Sequence, residues 1–137
     1  MIAELSATLA RITGDSGRSS FDPDDVRGAR ACFVVARDAQ GRAIGCGALR
    51  PLEADIAEVK RMYARPGTRG VGAAILTHLE TAAAGFGYDA IRLETRLVNA
   101  RAVAFYERNG YCRIPNYGNY VGRPEAVCFE TRLVRPR

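Results

Sequence analysis

The chain has a single histidine, His78, a single lysine, Lys60, and four cysteines with no C-x-x-C pair among them. Each shortage closes a route. One histidine and scattered thiols do not make a metal-ligand set, so no metal is expected. Cys32, Cys46, Cys112 and Cys128 each sit in an apolar stretch that reads as a strand, where a free thiol packs as a small hydrophobe. Reduced, buried cysteines in a cytoplasmic setting are expected. None stands beside the histidine or at a helix start, so nothing marks one as an activated nucleophile. No apolar run is long enough to cross a bilayer, and the opening MIAELSATLARI lacks a signal-peptide layout. No membrane role is expected.

What is present describes one domain, residues 1–137, with 47% hydrophobic and 26% charged residues, enough to bury a core. The net charge of +5 suits an anionic partner. A nucleic-acid surface would need a basic stripe interleaved with exposed aromatics. The charges here are scattered, and nucleic acid is not expected.

Helical spacing runs through residues 2–12, and Asp22-Pro23 opens a short second helix. ACFVVARD and RAIGCGALRP read as a hairpin, with IAEVKRMYA at 56–64 as a third strand. A helix follows at 71–85, then the strand DAIRLETRL, the helix NARAVAFYERNG, and two last strands in YCRIP and AVCFETRLV. This order predicts an α+β (mixed α/β) sheet domain. Period-two alternation puts Glu58, Lys60 and Met62 on one face of the third strand and Val59, Arg61 and Tyr63 on the other.

RPGTRGVGAAIL, residues 65–76, places glycines directly before an apolar helical run. Glycine admits close backbone approach, and a helix start offers unpaired N–H groups and partial positive charge. Together they describe an anion site suited to phosphate. The NTPase phosphate loop requires Gly-Lys-Ser/Thr, which is missing. The dinucleotide fingerprint requires a third glycine where Ile75 stands. Arg69-Gly70-Val71-Gly72-Ala73-Ala74 instead resembles the Arg/Gln-x-x-Gly-x-Gly/Ala coenzyme A loop of GNAT N-acetyltransferases. NARAVAFYERNGY resembles that family's second signature, with Asn99, Ala102, Phe105, Tyr106, Glu107, Gly110 and Tyr111 in register. An amphipathic helix with a glycine stop would also account for Phe105 and Gly110, but not for Asn99 and Tyr106 at this spacing.

The resemblance covers roughly residue 30 to the end and implies a GNAT acyl-CoA N-acyltransferase fold, a mostly antiparallel sheet flanked by helices. It departs from the family in two places. The usual first strand is missing, because the chain opens on helical spacing. The segment between Pro66 and the glycines is also shorter than is usual, so the loop registers from either Arg69 or Gly67.

The implied activity is acetyl transfer from acetyl-CoA to a primary amine of a small molecule or peptide, by direct attack in a ternary complex. A non-catalytic acyl-CoA-binding module is the alternative. By resemblance, the amides of Arg69 to Ala74 hold the diphosphate, and the main chain at Met62 and Ala64 pairs with the pantetheine arm. Tyr106 is the general acid for the leaving thiolate. Asn99 bonds the pantetheine or a water, or caps its helix. Glu58 is the candidate base, with a cross-strand pair to an arginine as the competing reading. Tyr117, Tyr120 and Arg123 wall the acceptor pocket. An unpaired edge on CFVVAR would invite another chain, so either a homodimer or a start upstream of Met1 is expected.

Overall fold

The computed structural model describes residues 28–134. Six strands form one sheet: β1 (Cys32–Arg37), β2 (Ala43–Glu53), β3 (Ile56–Ala64), β4 (Ala90–Arg96), β5 (Cys112–Ile114) and β6 (Ala126–Arg132). Two helices join them, α1 (Val71–Gly85) and α2 (Ala100–Arg108). The order across the sheet is β1-β2-β3-β4-β6-β5, and every neighbouring pair is antiparallel except β3 with β4. The expected elements between residues 32 and 132 are all found. The helices expected at 2–12 and after Asp22, and the segment on which the missing first strand depends, lie outside the described residues. Among the described strands, β1 forms one edge of the sheet.

The β1–β2 turn is set by its own chemistry. The Asp38 carboxylate accepts from the N–H groups of Gln40 and Arg42, each at 2.9 Å, and Gly41 takes the positive φ of 82° that the reversal needs. The α1 helix crosses between β3 and β4 and lays Ile75, Leu76, Leu79 and Ala83 on the sheet. Gly45 and Gly47 of β2 allow it to lie close. A Cβ at Gly47 would meet Ile75, Met62 and Leu79 at 2.8–3.0 Å. The core continues through Leu49, Val59, Tyr88, Ile91, Leu93 and Phe129. Tyr88 is wholly buried, and its hydroxyl donates to the Arg30 carbonyl at 2.8 Å.

One expectation about β3 is corrected. The strand does not alternate throughout, because Arg61 has a φ of 59° and the register with β2 slips between Cys46↔Tyr63 and Ala48↔Lys60. One extra residue on β3 makes a bulge. Met62 therefore joins Val59 on the helix side, while Tyr63 packs with Cys46 and Phe33 on the side of Glu58. A second correction concerns the thiols. Cys46 and Cys128 are buried, but Cys112 is exposed, because it lies on a three-residue strand at the outer edge of the sheet.

Gly47→Val should lower unfolding stability by about 1–3 kcal/mol through overpacking, read from urea denaturation. Gly85→Ala, where an added methyl meets nothing within 4 Å, should leave stability unchanged or raise it by up to ~1 kcal/mol.

Candidate active site

The site begins where two strands part. β3 and β4 pair only at Ile56↔Ala90, Ala57↔Ile91 and Glu58↔Arg92, whereas β4 stays paired with β6 from Ala90 to Arg96. Beyond Glu58 the two strands leave a slot through the sheet. On the helix side it opens into a groove of about 540 Å³ between the end of β3, the start of α1 and one face of α2.

Six of the expected cofactor residues line this groove: Met62, Ala64, Gly70, Val71, Gly72 and Ala73. Tyr106 joins them from α2. Gly70 stands at the helix N-cap with a φ of 70°. The first intrahelical bond is Ala74 N–H to the Gly70 carbonyl at 3.0 Å, so the amides of Val71, Gly72 and Ala73 precede the helical ladder. Ala74 therefore commits its amide to the helix and does not line the groove. The exposed Arg69 does not line it either. At the end of β3, Arg65 N–H bonds the Ile44 carbonyl of β2 at 2.8 Å. Alternation then turns the Ala64 N–H away from β2, toward the slot, where β4 offers no partner.

Seven groove residues were not singled out as site residues by sequence reasoning, and three of them bear on the site. Phe105, which amphipathicity alone assigns to the core, packs where a Cβ on Gly72 would meet it at 3.3 Å and lines the groove. Arg101 and Arg108 also line it, and their seven-residue spacing on one helix was the readable signal. Asn99 caps α2, its side-chain oxygen accepting from Ala102 N–H at 3.3 Å, and does not line the groove.

Tyr106 is 7% exposed, with its ring set edge-on to Phe105 and Tyr111. Burial, and then the nearby charge of Glu94, push its hydroxyl well above the ordinary tyrosine range, so it keeps its proton.

The opposite face of the sheet carries charge. Glu58 is 3% exposed and fully engaged. Arg50, directly across on β2, donates to Oε1 at 2.8 Å, and the Tyr117 hydroxyl donates to Oε2 at 2.6 Å. The Lys60 ammonium lies 3.9 Å from Oε1. The cross-strand pair with an arginine is thus the geometry that the structure gives Glu58. Tyr117 stacks edge-on with Tyr120 at 5.5 Å, bringing two of the expected pocket residues beside Glu58. Arg123 is exposed in the same loop, and its charge reaches Glu94.

Glu94 is a further acidic group on this face that sequence reasoning passed over. Its side chain is 11% exposed, and Oε2 is buried without a hydrogen-bond partner among the described residues. Arg96 Nε lies 3.6 Å from Oε2. Burial raises its carboxyl above the usual range, with Arg96 and Lys60 opposing and Glu58 reinforcing the shift. An acid between two arginines in RLETR reads as an ordinary surface pair, which is why its sequence gave no signal. Among the described residues, no group of three acids, cysteines or histidine is placed to hold a metal ion, and no helix is long and apolar enough to cross a membrane.

A parallel strand pair that splits, with a glycine-started helix facing the split, is the architecture of acyl-CoA N-acyltransferases. The acetyltransferase (GNAT) family profile matches residues 4–111. The chain belongs to this family and is an acetyl-CoA-dependent N-acetyltransferase. It is 35% identical to the IAA acetyltransferase of Azospirillum brasilense over 104 residues, covering 74% of this chain and 67% of that one. It is 32% identical to the uncharacterized N-acetyltransferase YjgM of Escherichia coli, covering 98% and 84%. Among solved structures, one described as an acyl-CoA N-acyltransferase, from Klebsiella pneumoniae, superposes with a TM-score of 0.80 at 30% identity, covering 97% of this chain and 87% of that one.

Glu58→Gln should destabilise the fold, because it removes the charge that Arg50 and Tyr117 are arranged around. Breaking a buried pair costs about 3–5 kcal/mol, and the partial exposure of Arg50 puts the loss at or below ~3 kcal/mol. Urea denaturation of the variant checks it.

Proposed function

We propose that the chain acetylates a primary amine of a small molecule or peptide by direct attack in a ternary complex, with Tyr106 as general acid. The observation that carries this reading is the slot between β3 and β4, which has the Tyr106-lined groove on one face and a polar, tyrosine-walled surface on the other.

The groove fits acetyl-CoA, here a co-substrate, on three structural counts. The amides of Val71, Gly72 and Ala73 lie ahead of the first helical bond, where a diphosphate is favoured by both N–H donors and the helix field. Arg101 and Arg108 add positive charge along the same groove. The outward N–H at Ala64 offers an open strand edge to an amide-bearing arm. Acetyl-CoA supplies the activated thioester; the chain's residues do the remaining work. The backbone of Met62 and Ala64 aligns the arm, and an N–H there is a donor for the oxyanion that forms on attack. Tyr106, held protonated by its dry surroundings, donates to the sulfur as the C–S bond breaks. The polar face with Tyr117, Tyr120 and Arg123 receives the amine. Asn99 serves this arrangement by capping α2, the helix that holds Tyr106 in place.

Two outcomes test the reading. Tyr106→Phe should lower kcat by about 10²-fold or more while the calorimetric Kd for acetyl-CoA stays near the parent value. Gly70→Val should weaken acetyl-CoA binding sharply, because a side chain there must adopt a φ of 70° beside the diphosphate amides. A parent protein that binds acetyl-CoA but releases no CoA with amino acids, polyamines, aminoglycosides or peptide N-termini would be a binding module instead.

A further inference from the structure

We propose that Arg123 selects acceptors that carry a carboxylate beside the amine, so that the chain acts on free amino acids in preference to amines without an acid group. The proposal rests on the amine-acetylation reading above and names the substrate class of the same site. Three observations carry it.

The first is which cations of the acceptor face are already engaged. Arg50 donates to Glu58 at 2.8 Å, and Lys60 lies 3.9 Å from the same carboxylate. Arg92 donates to Glu130 at 2.9 Å, and Arg96 stands 3.6 Å from Glu94 and 3.5 Å from Glu125. Arg123 differs from all four. Among the described residues, no carboxylate lies within ion-pair distance of its guanidinium and no acceptor bonds it. A guanidinium presents its donors as a planar fork that a carboxylate meets with two parallel bonds. An exposed arginine is ordinarily just solvated. This one is set apart by its place and its anchorage.

Place is the second observation. Glu94 is the first β4 residue on that face beyond the pairing with β3, and the charge of Arg123 reaches it. The charge of Glu94 is also felt by Tyr120, whose half-buried ring stands edge-on to Tyr117 at 5.5 Å. Arg123 therefore shares the mouth of the slot with the two tyrosines. Anchorage is the third. Gly122 turns the chain at a φ of 80°, and Arg123 N–H then bonds the Tyr120 carbonyl at 3.1 Å. The Arg123 carbonyl accepts from Ala126 N–H at 3.1 Å and from Asn116 Nδ2 at 2.9 Å. Asn116 Nδ2 also donates to the Tyr120 carbonyl at 3.1 Å. The loop is tied across its width, so little backbone freedom is lost when the guanidinium takes a partner.

A free amino acid joins an amine and a carboxylate through a single carbon. With its nitrogen at the slot and its carboxylate on Arg123, its side chain falls to the wall of Tyr117 and Tyr120. The matching carboxamide keeps that shape and loses the charge-assisted bonds, so a preference between the two reads Arg123 directly. A neighbouring carboxylate also makes an amine harder to deprotonate. Intrinsic reactivity thus favours the carboxamide and cannot itself produce a preference for the acid.

The test uses the full chain, acetyl-CoA and three matched pairs: glycine with glycinamide, phenylalanine with phenylalaninamide, and β-alanine with β-alaninamide. Spermidine and kanamycin serve as amines without a carboxylate, and release of CoA is followed for each. In the fastest pair, kcat/KM should favour the acid by about tenfold or more. In Arg123→Gln that ratio should fall to near one, with the loss in KM for the acid rather than in kcat. Arg123→Lys keeps the charge but not the fork and should hold an intermediate ratio. A parent that uses the amide as well as the acid, or spermidine or kanamycin faster than any acid, would overturn the proposal and leave amine acetylation standing. So would a parent-like ratio in Arg123→Gln. Absence of CoA release by the parent with every one of these amines would instead overturn the amine-acetylation reading, and this proposal with it.

Discussion

The short parallel pairing of β3 with β4 is the constraint on which the rest depends. Three residue pairs join the strands, and then each follows a different partner, β3 staying with β2 and β4 with β6. A sheet interior rarely leaves backbone donors and acceptors without partners. Among the described residues, β3 and β4 offer each other no backbone partners beyond Glu58 and Arg92. The glycine-started helix that opens beside the slot supplies a second set of unpaired amides. The groove is therefore walled by main chain at the end of β3 and the start of α1, and by side chains of α2.

The bulge at Arg61 decides what each face of the slot presents. Without it, period-two alternation would send Met62 to the face of Glu58 and Tyr63 into the core beneath α1. With it, Met62 packs toward Ile75 and Leu79, and Tyr63 joins the opposite face. A non-glycine residue at a φ of 59° carries a backbone cost of roughly 1–2 kcal/mol. Burial of Arg61 and the bond from Cys46 Sγ to its carbonyl, 3.4 Å, help to hold the conformation. Backbone strain of this kind is commonly found near functional sites, and here it borders the groove.

Much of this was legible in the sequence, and what was legible shares a character. Gly70 and Gly72 before an apolar run, and Asn99 with Gly110 bracketing a helix, are local signals that act through neighbouring residues. They placed α1, α2 and the groove that lies between them. The misread features are non-local. Nothing in EVKRMYA marks Arg61 as a bulge, because the slip is defined by β2 opposite it. Glu58 and Glu94 look alike in sequence, each an acid with a basic residue two positions on. Only the fold separates them, by giving Glu58 an arginine and a tyrosine and leaving one oxygen of Glu94 without a donor. Cys112 sits in an apolar-looking stretch, yet its strand lies at the rim, where three residues of pairing bury little.

The two faces also differ in how they treat a proton. Tyr106 is packed among Phe105, Tyr111 and Phe129, a setting that penalises its ionised form heavily. Glu94 sits across the slot in a mixed field, where burial and Glu58 favour the neutral acid while Arg96, Lys60 and Arg123 favour the anion. The sheet keeps the two groups apart, one on the apolar side and the other among cations. The charge of Glu94 is felt at Tyr106, so neutralising Glu94 makes the Tyr106 hydroxyl easier to ionise.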